Sequence, residues 1–76
     1  MVAGYGCVTT ADAKYAIAAG DTLIATAEGQ AVFGKYNAED NDALLIVGNG
    51  NDESDRTNAF EVKKNGIIIS PQLETS

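Results

Sequence analysis

A glycine spacing of 14 residues is the strongest constraint on how this sequence folds. Gly6, Gly20 and Gly34 lie 14 residues apart, and two alanines also coincide when residues 7–20 are aligned with residues 21–34. Short repeats of this kind are typical of solenoids, in which each repeat forms one coil. A coil of short strands needs Gly at its corners, where a positive φ or a close approach of two backbones is required. The spacing therefore predicts a stack of coils.

The alanine content fits a narrow coil interior. The chain of 76 residues has 12 Ala, whereas Leu, Ile, Val and Phe together number 17 and Trp is absent. With about 1.5 kcal/mol of ordering cost per residue and about 25 cal/mol gained per Å² of buried apolar area, such a chain has little core to spare. One Cys and no His exclude an intrachain disulfide and the usual zinc sites. Small chains without such staples often oligomerise, so we expect copies of the chain to share apolar surface.

The charge balance excludes two classes of partner. Eleven acidic and five basic residues give a net charge of -6, which opposes the phosphate neutralisation on which nucleic-acid binding depends. No apolar run approaches the roughly 18 residues needed to span a bilayer. We therefore expect an ordered, acidic, soluble module that neither binds nucleic acid nor inserts into a membrane.

The hydrophobic pattern favours strands over helices. The only helix candidate is the Ala-rich segment 11–19, which is bounded by Gly6 and Gly20 and is weakened by Tyr and Ile. Asn65-Gly66 predicts a hairpin turn, because this pair tolerates a positive φ at both central positions. Short apolar runs between turn residues predict strands, at residues 15–19, 22–27, 31–36, 43–47, 58–63 and 66–70.

Two stretches resemble trimeric surface proteins. Residues 20–34 carry the pattern G-x-x-x-x-A-x-A-x-G-x-A-x-x-G, which is similar to the head repeat of trimeric autotransporter adhesins, the YadA-like head. Residues 34–66 contain GKYN, LIVGNG, RTNAFEV and KNG, and they resemble a segment of phage tail-fibre and prophage structural proteins that closes off such repeats. The resemblance implies a left-handed parallel β-roll assembled as an intertwined homotrimer. Tyr15 stands where the next copy has Gly29, so we expect the N-terminal coil to be irregular.

These patterns predict one all-β module over residues 1–76, a parallel, solenoid-like β-roll with a C-terminal β-hairpin element, as an intertwined homotrimer. Residues 4–36 would form degenerate 14-residue repeats, and residues 37–70 the closing strands and loops. The expected corner and turn glycines are Gly20, Gly29, Gly34, Gly48, Gly50 and Gly66. The expected core residues are Ala25, Ala27, Val32, Leu44, Ile46, Phe60 and Val62.

No catalytic, cofactor or metal site is predicted. Cys7 has no His to activate it as a nucleophile. The Asn- and Asp-rich segment 37–58 lacks the EF-hand order of ligands, and these residues are typical of turns between strands, although Ca²⁺ binding stays open. The carboxylates of Asp40 and Asp42 lack an apolar pocket that would shift a pKa.

Arg56 and the aromatic residues carry the remaining hypotheses. Arg56 is the sole arginine, and its five fixed donors suit a salt bridge or a fork that binds carbonyl groups at a subunit interface, with ligand binding as the alternative. The five aromatic residues favour packing, with a sugar-stacking face as the alternative; they are Tyr5, Tyr15, Phe33, Tyr36 and Phe60.

The function predicted from the sequence is structural and non-enzymatic. The resemblance implies a trimeric shaft or head segment of a phage or prophage tail fibre, located in the virion tail, or of a surface adhesin, located at the bacterial cell surface. The partner would be a second and third copy of the chain. The alternative is a receptor-binding tip that contacts a host glycan or protein through loops 37–42 and 51–57.

Overall fold

The computed structural model describes residues 2–70, and these residues form strands and no helix. An all-β fold is therefore confirmed. All six segments predicted as strands contain one, although most are shifted or shortened, and the two strands at the N-terminus were not predicted. In chain order the strands are β1 (Val2–Tyr5), β2 (Val8–Thr9), β3 (Ile17–Asp21), β4 (Ile24–Ala25), β5 (Ala31–Lys35), β6 (Ala43–Asn49), β7 (Asn58–Lys63) and β8 (Ile68–Ile69).

The first strands are wound as a parallel β-solenoid of about three turns. The chain leaves β1, forms β2 in a second sheet, and returns as β3 parallel to β1. The next coil repeats this path through β4 to β5, and β6 pairs parallel with β5. The large sheet has the order β1-β3-β5-β6-β7-β8, and the small sheet consists of β2 and β4.

The glycine repeat appears in space as one continuous row. Gly4, Gly20, Gly34 and Gly48 are aligned across the four parallel strands. The prediction that Gly6 begins this row is wrong, since the first coil is two residues longer than the others. Each row member lies so close to the next that a Cβ at Gly34, for example, would overlap the carbonyl oxygen of Gly48. The row therefore requires the absence of side chains along its whole length.

A second corner position is shared by Tyr15 and Gly29. Both residues have a positive φ, 61° for Tyr15 and 71° for Gly29, and Gly29 N donates a hydrogen bond of 2.8 Å to Lys14 O. For a residue with a Cβ this conformation costs roughly 1–2 kcal/mol. The Tyr15 ring is 87% exposed and so finds room. The irregularity predicted at Tyr15 is therefore absent from the corner itself and lies in the two extra residues of the coil.

The core between the two sheets is narrow and rich in alanine. Five of the eight residues in the buried apolar cluster are Ala, which agrees with the expectation of a roll too narrow for larger side chains. The predicted core residues Ala25, Ala27, Val32 and Ile46 are buried. The cluster consists of Ala13, Ala16, Ala18, Leu23, Ala25, Val32, Ala43 and Ile46.

The assignment of Leu44 to the core is wrong. A register shift between Ala43 and Leu45 interrupts the pairing of β6 with β7. A bulge of this kind adds a residue to one strand and shifts which residues face inward. Ala43 is consequently fully buried, and Leu44 is 41% exposed.

The parallel order ends at β7, which pairs antiparallel with β6 and with β8. In the turn after β7, Gly66 N donates a hydrogen bond of 2.9 Å to Lys63 O. Lys64 and Asn65 are therefore the central residues of this turn. Gly66 has a φ of +90°, whereas Asn65 is not among the residues with a positive φ. The predicted positive φ at both Asn65 and Gly66 is thus wrong for Asn65.

The glycine row yields a test with an internal control. We expect Gly34→Ala to lower the free energy of unfolding by about 3 kcal/mol or more, because its Cβ meets backbone atoms and its φ of +97° disfavours a side chain. Gly29→Ala has a similar positive φ but no atom within 4 Å of the new Cβ, so we expect a loss of about 1 kcal/mol. Urea unfolding measures both. Equal losses would contradict the role given to close backbone approach.

Candidate functional site

Asn37 uses its side chain as a substitute for a strand. The third coil has no strand in the small sheet, so one edge of β4 lacks a backbone partner. Ile24 N donates to Asn37 Oδ1 at 2.8 Å, and Asn37 Nδ2 donates to Ile24 O at 3.0 Å. The amide thus makes the two bonds that a neighbouring strand would make. Asn37 is fully buried, and this pairing satisfies a buried polar group that would otherwise be costly.

Asn58 repeats the same arrangement one coil further on. Ala38 N donates to Asn58 Oδ1 at 2.8 Å, and Asn58 Nδ2 donates to Ala38 O at 2.9 Å. Ala38 follows Ile24 by 14 residues, which is one repeat. Two asparagine amides therefore continue the hydrogen-bonding pattern of the small sheet after its strands have ended.

Gln30 ties the interior of the second coil to the following loop. Thr26 N donates to Gln30 Oε1 at 3.0 Å, and Gln30 Nε2 donates to Asp40 O at 2.7 Å and to Ala43 O at 2.9 Å. Only 1% of Gln30 is exposed. Like the two asparagines, Gln30 escaped prediction, because a polar residue near turns reads as a surface residue until its partners are known.

Arg56 binds backbone carbonyls at the corners of the roll. Its Nη1 donates to Thr22 O at 3.1 Å and to Asn37 O at 3.3 Å, and its guanidinium carbon lies 5.7 Å from the centre of the Tyr36 ring. Thr22 and Tyr36 both have a positive φ. The predicted carbonyl-binding fork is thus confirmed within the chain, whereas its place at a subunit interface stays a prediction.

An isosteric change at Asn37 tests the amide substitution. In Asn37→Asp a carboxylate oxygen replaces the donor that faces Ile24 O, so a buried charge meets a carbonyl without a hydrogen bond. We expect a loss of about 3 kcal/mol or more in the free energy of unfolding. Asn58→Asp is the matched control, since Asn58 is only half-buried and should lose less. Thermal unfolding of both variants measures the difference, and a larger loss at Asn58 would contradict this account.

A second polar cluster joins the loop after β5 to β7. It consists of Asp40, Glu61 and Lys63, which sequence spacing did not bring together. Lys63 Nζ is in direct contact with Asp40 Oδ2 and lies 3.6 Å from Glu61 Oε1. The pair formed by Asp40 and Asp42, considered from the sequence, is instead a local turn in which Asp42 N donates to Asp40 Oδ1 at 2.9 Å.

The two carboxyl groups of this cluster are shifted in opposite directions. The hydrogen bond from Lys63, followed by that with Glu61, lowers the pKa of Asp40 to about 2. Burial, followed by the neighbouring Asp40, raises the pKa of Glu61. Glu61 Oε1 is buried and has no hydrogen-bond partner, which fits a carboxyl group that favours its protonated form. The same contact with Asp40 raises the pKa of Lys63.

These shifts predict how stability depends on pH. Since the folded-state pKa of Glu61 is raised above 4.5, stability increases as the pH falls through that raised value. The Asp40 contribution is present above 3.8 and is lost as the pH falls towards about 2. Acidification also lowers the net charge in every variant. The comparison with Glu61→Gln removes that common effect.

We expect Glu61→Gln to be more stable than the parent chain at pH 7, by about 1 kcal/mol, because it removes a poorly paired buried charge. The difference should shrink between pH 7 and pH 4 as Glu61 takes up its proton in the parent chain. Urea unfolding at several pH values measures this difference. A constant difference across this range would contradict the assigned pKa direction.

The outward side of the large sheet is a broad apolar surface, which we call the outer face. Side chains alternate along each strand, and the inward positions Ala18, Val32 and Ile46 are buried in the roll. The outward positions form two rows across the sheet, and every member is apolar. Phe33 is 40% exposed and Ile68 63% exposed. The rows are Ala3–Ala19–Phe33–Val47–Phe60 and Ile17–Ala31–Leu45–Val62–Ile68.

The outer face also explains two residues predicted in the core. Phe60 and Val62 are half-buried on this side of β7 and lie outside the interior cluster. Their partners in the register are Val47 and Leu45 on β6. A polar row, Tyr5–Asp21–Lys35–Asn49, borders the apolar rows at one side.

The two loops considered for receptor binding differ in exposure. In the loop 37–42, Asn37 is buried and Asp40 is paired with Lys63. In the loop 51–57, residues 51–55 are all exposed. This second loop is held by local bonds, such as Asn51 Nδ2 to Asp55 Oδ2 at 3.0 Å. Only the second loop therefore presents a continuous accessible acidic surface.

The remaining sequence candidates show no assembled site. Within residues 2–70, no group of three or more His, Cys, Asp or Glu residues is placed to hold a metal ion. Cys7 is half-buried, and its Sγ donates to Gly20 O at 3.2 Å. Tyr5 and Tyr15 are 80% and 87% exposed.

Comparison with known proteins yields no relative for this chain: no protein-family model, curated protein or solved structure matches it. The resemblance of residues 20–34 and 34–66 to trimeric surface proteins therefore stays an expectation from their motifs. In the part of the chain that the structure describes, no helix is long and apolar enough to cross a membrane.

Proposed function

We propose that this chain is a non-enzymatic structural segment of a phage or prophage tail fibre, or of a trimeric surface adhesin, and that it forms a shaft or head as a homotrimer. The observation that carries the proposal is the outer face. It spans five to six strands of a chain whose net charge is -6. Contiguous apolar surface of this extent on a soluble chain is typical of a surface that is covered on assembly.

The composition of the roll supports shared burial among copies. The interior is filled mainly by alanine, whose burial contributes little free energy per residue. The larger residues Phe33, Leu45, Val47 and Phe60 lie instead on the outer face. Three copies that meet through this face would bury the apolar area that one copy leaves in water.

The border of the outer face resembles the rim of an interface. Asp21 and Lys35 are neighbours in the row that flanks the apolar rows, and they carry opposite charges. Polar rims around apolar centres are typical of protein interfaces. In the proposed assembly, the antiparallel strands β7 and β8 act as the closing hairpin element that ends the parallel stacking of each chain.

The oligomeric state tests the proposal directly. We expect light scattering on a size-exclusion column to give three times the chain mass of 7.9 kDa. Val47→Lys places a charge in the middle of the outer face, and we expect it to give a folded monomer. Val8→Lys is the matched control, because Val8 is 50% exposed on the small sheet, and it should remain a trimer. A parent chain of 7.9 kDa would refute the homotrimer.

A receptor-binding tip is the second candidate, and the exposure of residues 51–55 favours it. In this hypothesis the acidic loop contacts a host glycan or protein while the roll positions it. Glu39→Ala and Glu53→Ala remove exposed carboxylates for which no side-chain contact is described. We expect the double variant to lose binding to intact host bacteria or to a glycan array if the loops bind a receptor. Unchanged attachment would leave only the structural role.

A further inference from the structure

The chain contains two Asn-Gly pairs in very different surroundings. These are Asn49-Gly50, at the end of β6, and Asn65-Gly66, in the turn between β7 and β8. In an Asn-Gly pair, the backbone nitrogen of Gly can attack the side-chain carbon of the preceding Asn. Gly favours this reaction because it has no Cβ to obstruct the approach and because its backbone rotates freely. The local structure then decides which pair reacts.

Asn65-Gly66 lies in an open turn. Both residues are exposed, and no atom lies within 4 Å of the position that a Cβ at Gly66 would occupy. Ile67 N donates a hydrogen bond of 3.1 Å to Asn65 Oδ1. This bond draws electron density towards Oδ1 and so makes the side-chain carbon a better electrophile. The Gly66 nitrogen is held by a single described bond, to Lys63 O at 2.9 Å, and opening one turn releases it.

Asn49-Gly50 is held inside the fold. Gly50 is buried, and a Cβ there would overlap the carbonyl oxygens of Tyr36 and Asp55. Gly50 N donates to Lys35 O at 3.2 Å, and the Thr57 hydroxyl donates to Asn49 Oδ1 at 2.6 Å. The rotation that brings the Gly nitrogen to the side-chain carbon would therefore require the end of β6 to open.

We propose that Asn65 is a self-modification site, at which the chain deamidates spontaneously in its folded state while Asn49 is protected. A bond forms between Gly66 N and Asn65 Cγ, the bond from Cγ to the side-chain nitrogen breaks, and that nitrogen leaves as ammonia with the proton from Gly66 N. Water then opens the resulting succinimide at either of its two carbonyl carbons. The products are aspartate or isoaspartate at position 65, and water is the only co-reactant.

The modification would act on the strand that ends the large sheet. It adds a negative charge to a groove of about 340 Å³ that is lined by Asp42, Lys63, Lys64, Asn65, Ile67 and Ile69. The isoaspartate product also adds one atom to the backbone of the turn. Since β8 is held to β7 by two residue pairs, we expect this longer turn to loosen β8.

Peptide mapping by mass spectrometry tests the proposal on the unaltered full chain. Samples are incubated at neutral pH, one folded and one in urea, and the mass gain from amide to acid is followed at both asparagines. In urea the two pairs should react at similar rates. In the folded chain Asn65 should react about tenfold faster than Asn49 or more, because only Asn49 requires the sheet to open.

Three results would overturn the proposal. These are equal rates at the two positions in the folded chain, faster reaction at Asn49, or no reaction at Asn65 by the time the urea sample is complete. Asn65→Gln is the matched control for the mass assignment, and it should abolish the gain at position 65 while leaving Asn49 unchanged.

Discussion

Close contact between the backbones of successive coils is the constraint on which this structure depends. Each glycine of the row from Gly4 to Gly48 leaves space for a carbonyl group of the next coil, and a single methyl group would fill that space. Because the coils approach so closely, the interior between them is narrow. Alanine fits this interior, and larger apolar residues go to the other side of the sheet. The glycine row therefore governs both the thin core and the apolar outer face.

The same closeness creates a hydrogen-bonding problem where the small sheet ends. Strand β4 keeps an unpaired edge, and a buried backbone without partners is costly. The side chains of Asn37 and Asn58 solve this by presenting an amide in place of a peptide group. Arg56 completes the same region by binding two corner carbonyls. Polar residues that read as loop composition in the sequence are thus part of the internal framework of the roll.

How far sequence reasoning reached depended on whether the relevant contacts are local. The repeat, the all-β class and the burial of Ala25 and Val32 follow from spacing and composition. The longer first coil could not be read from the Gly6 spacing, because only pairing in space shows that Gly4 is the aligned residue. The exposure of Leu44 depends on a bulge whose cause lies in the partner strand. The cluster around Glu61 joins residues far apart in sequence, and no motif marks it.

The outer face and the polar cluster on β7 show how one strand serves two environments. Phe60 and Val62 continue the apolar rows, whereas Glu61 and Lys63 point to the other side and meet Asp40. The inward positions of β6 and β5 are apolar because a coil covers them. Beyond the last coil that cover is gone, and a charged cluster closed by the preceding loop takes its place. The change from apolar to charged inward residues therefore marks where the roll stops, while the outward residues remain apolar across the whole sheet. A surface that stays apolar past the end of its own core needs a reason beyond the folding of one chain, and association with further copies supplies it.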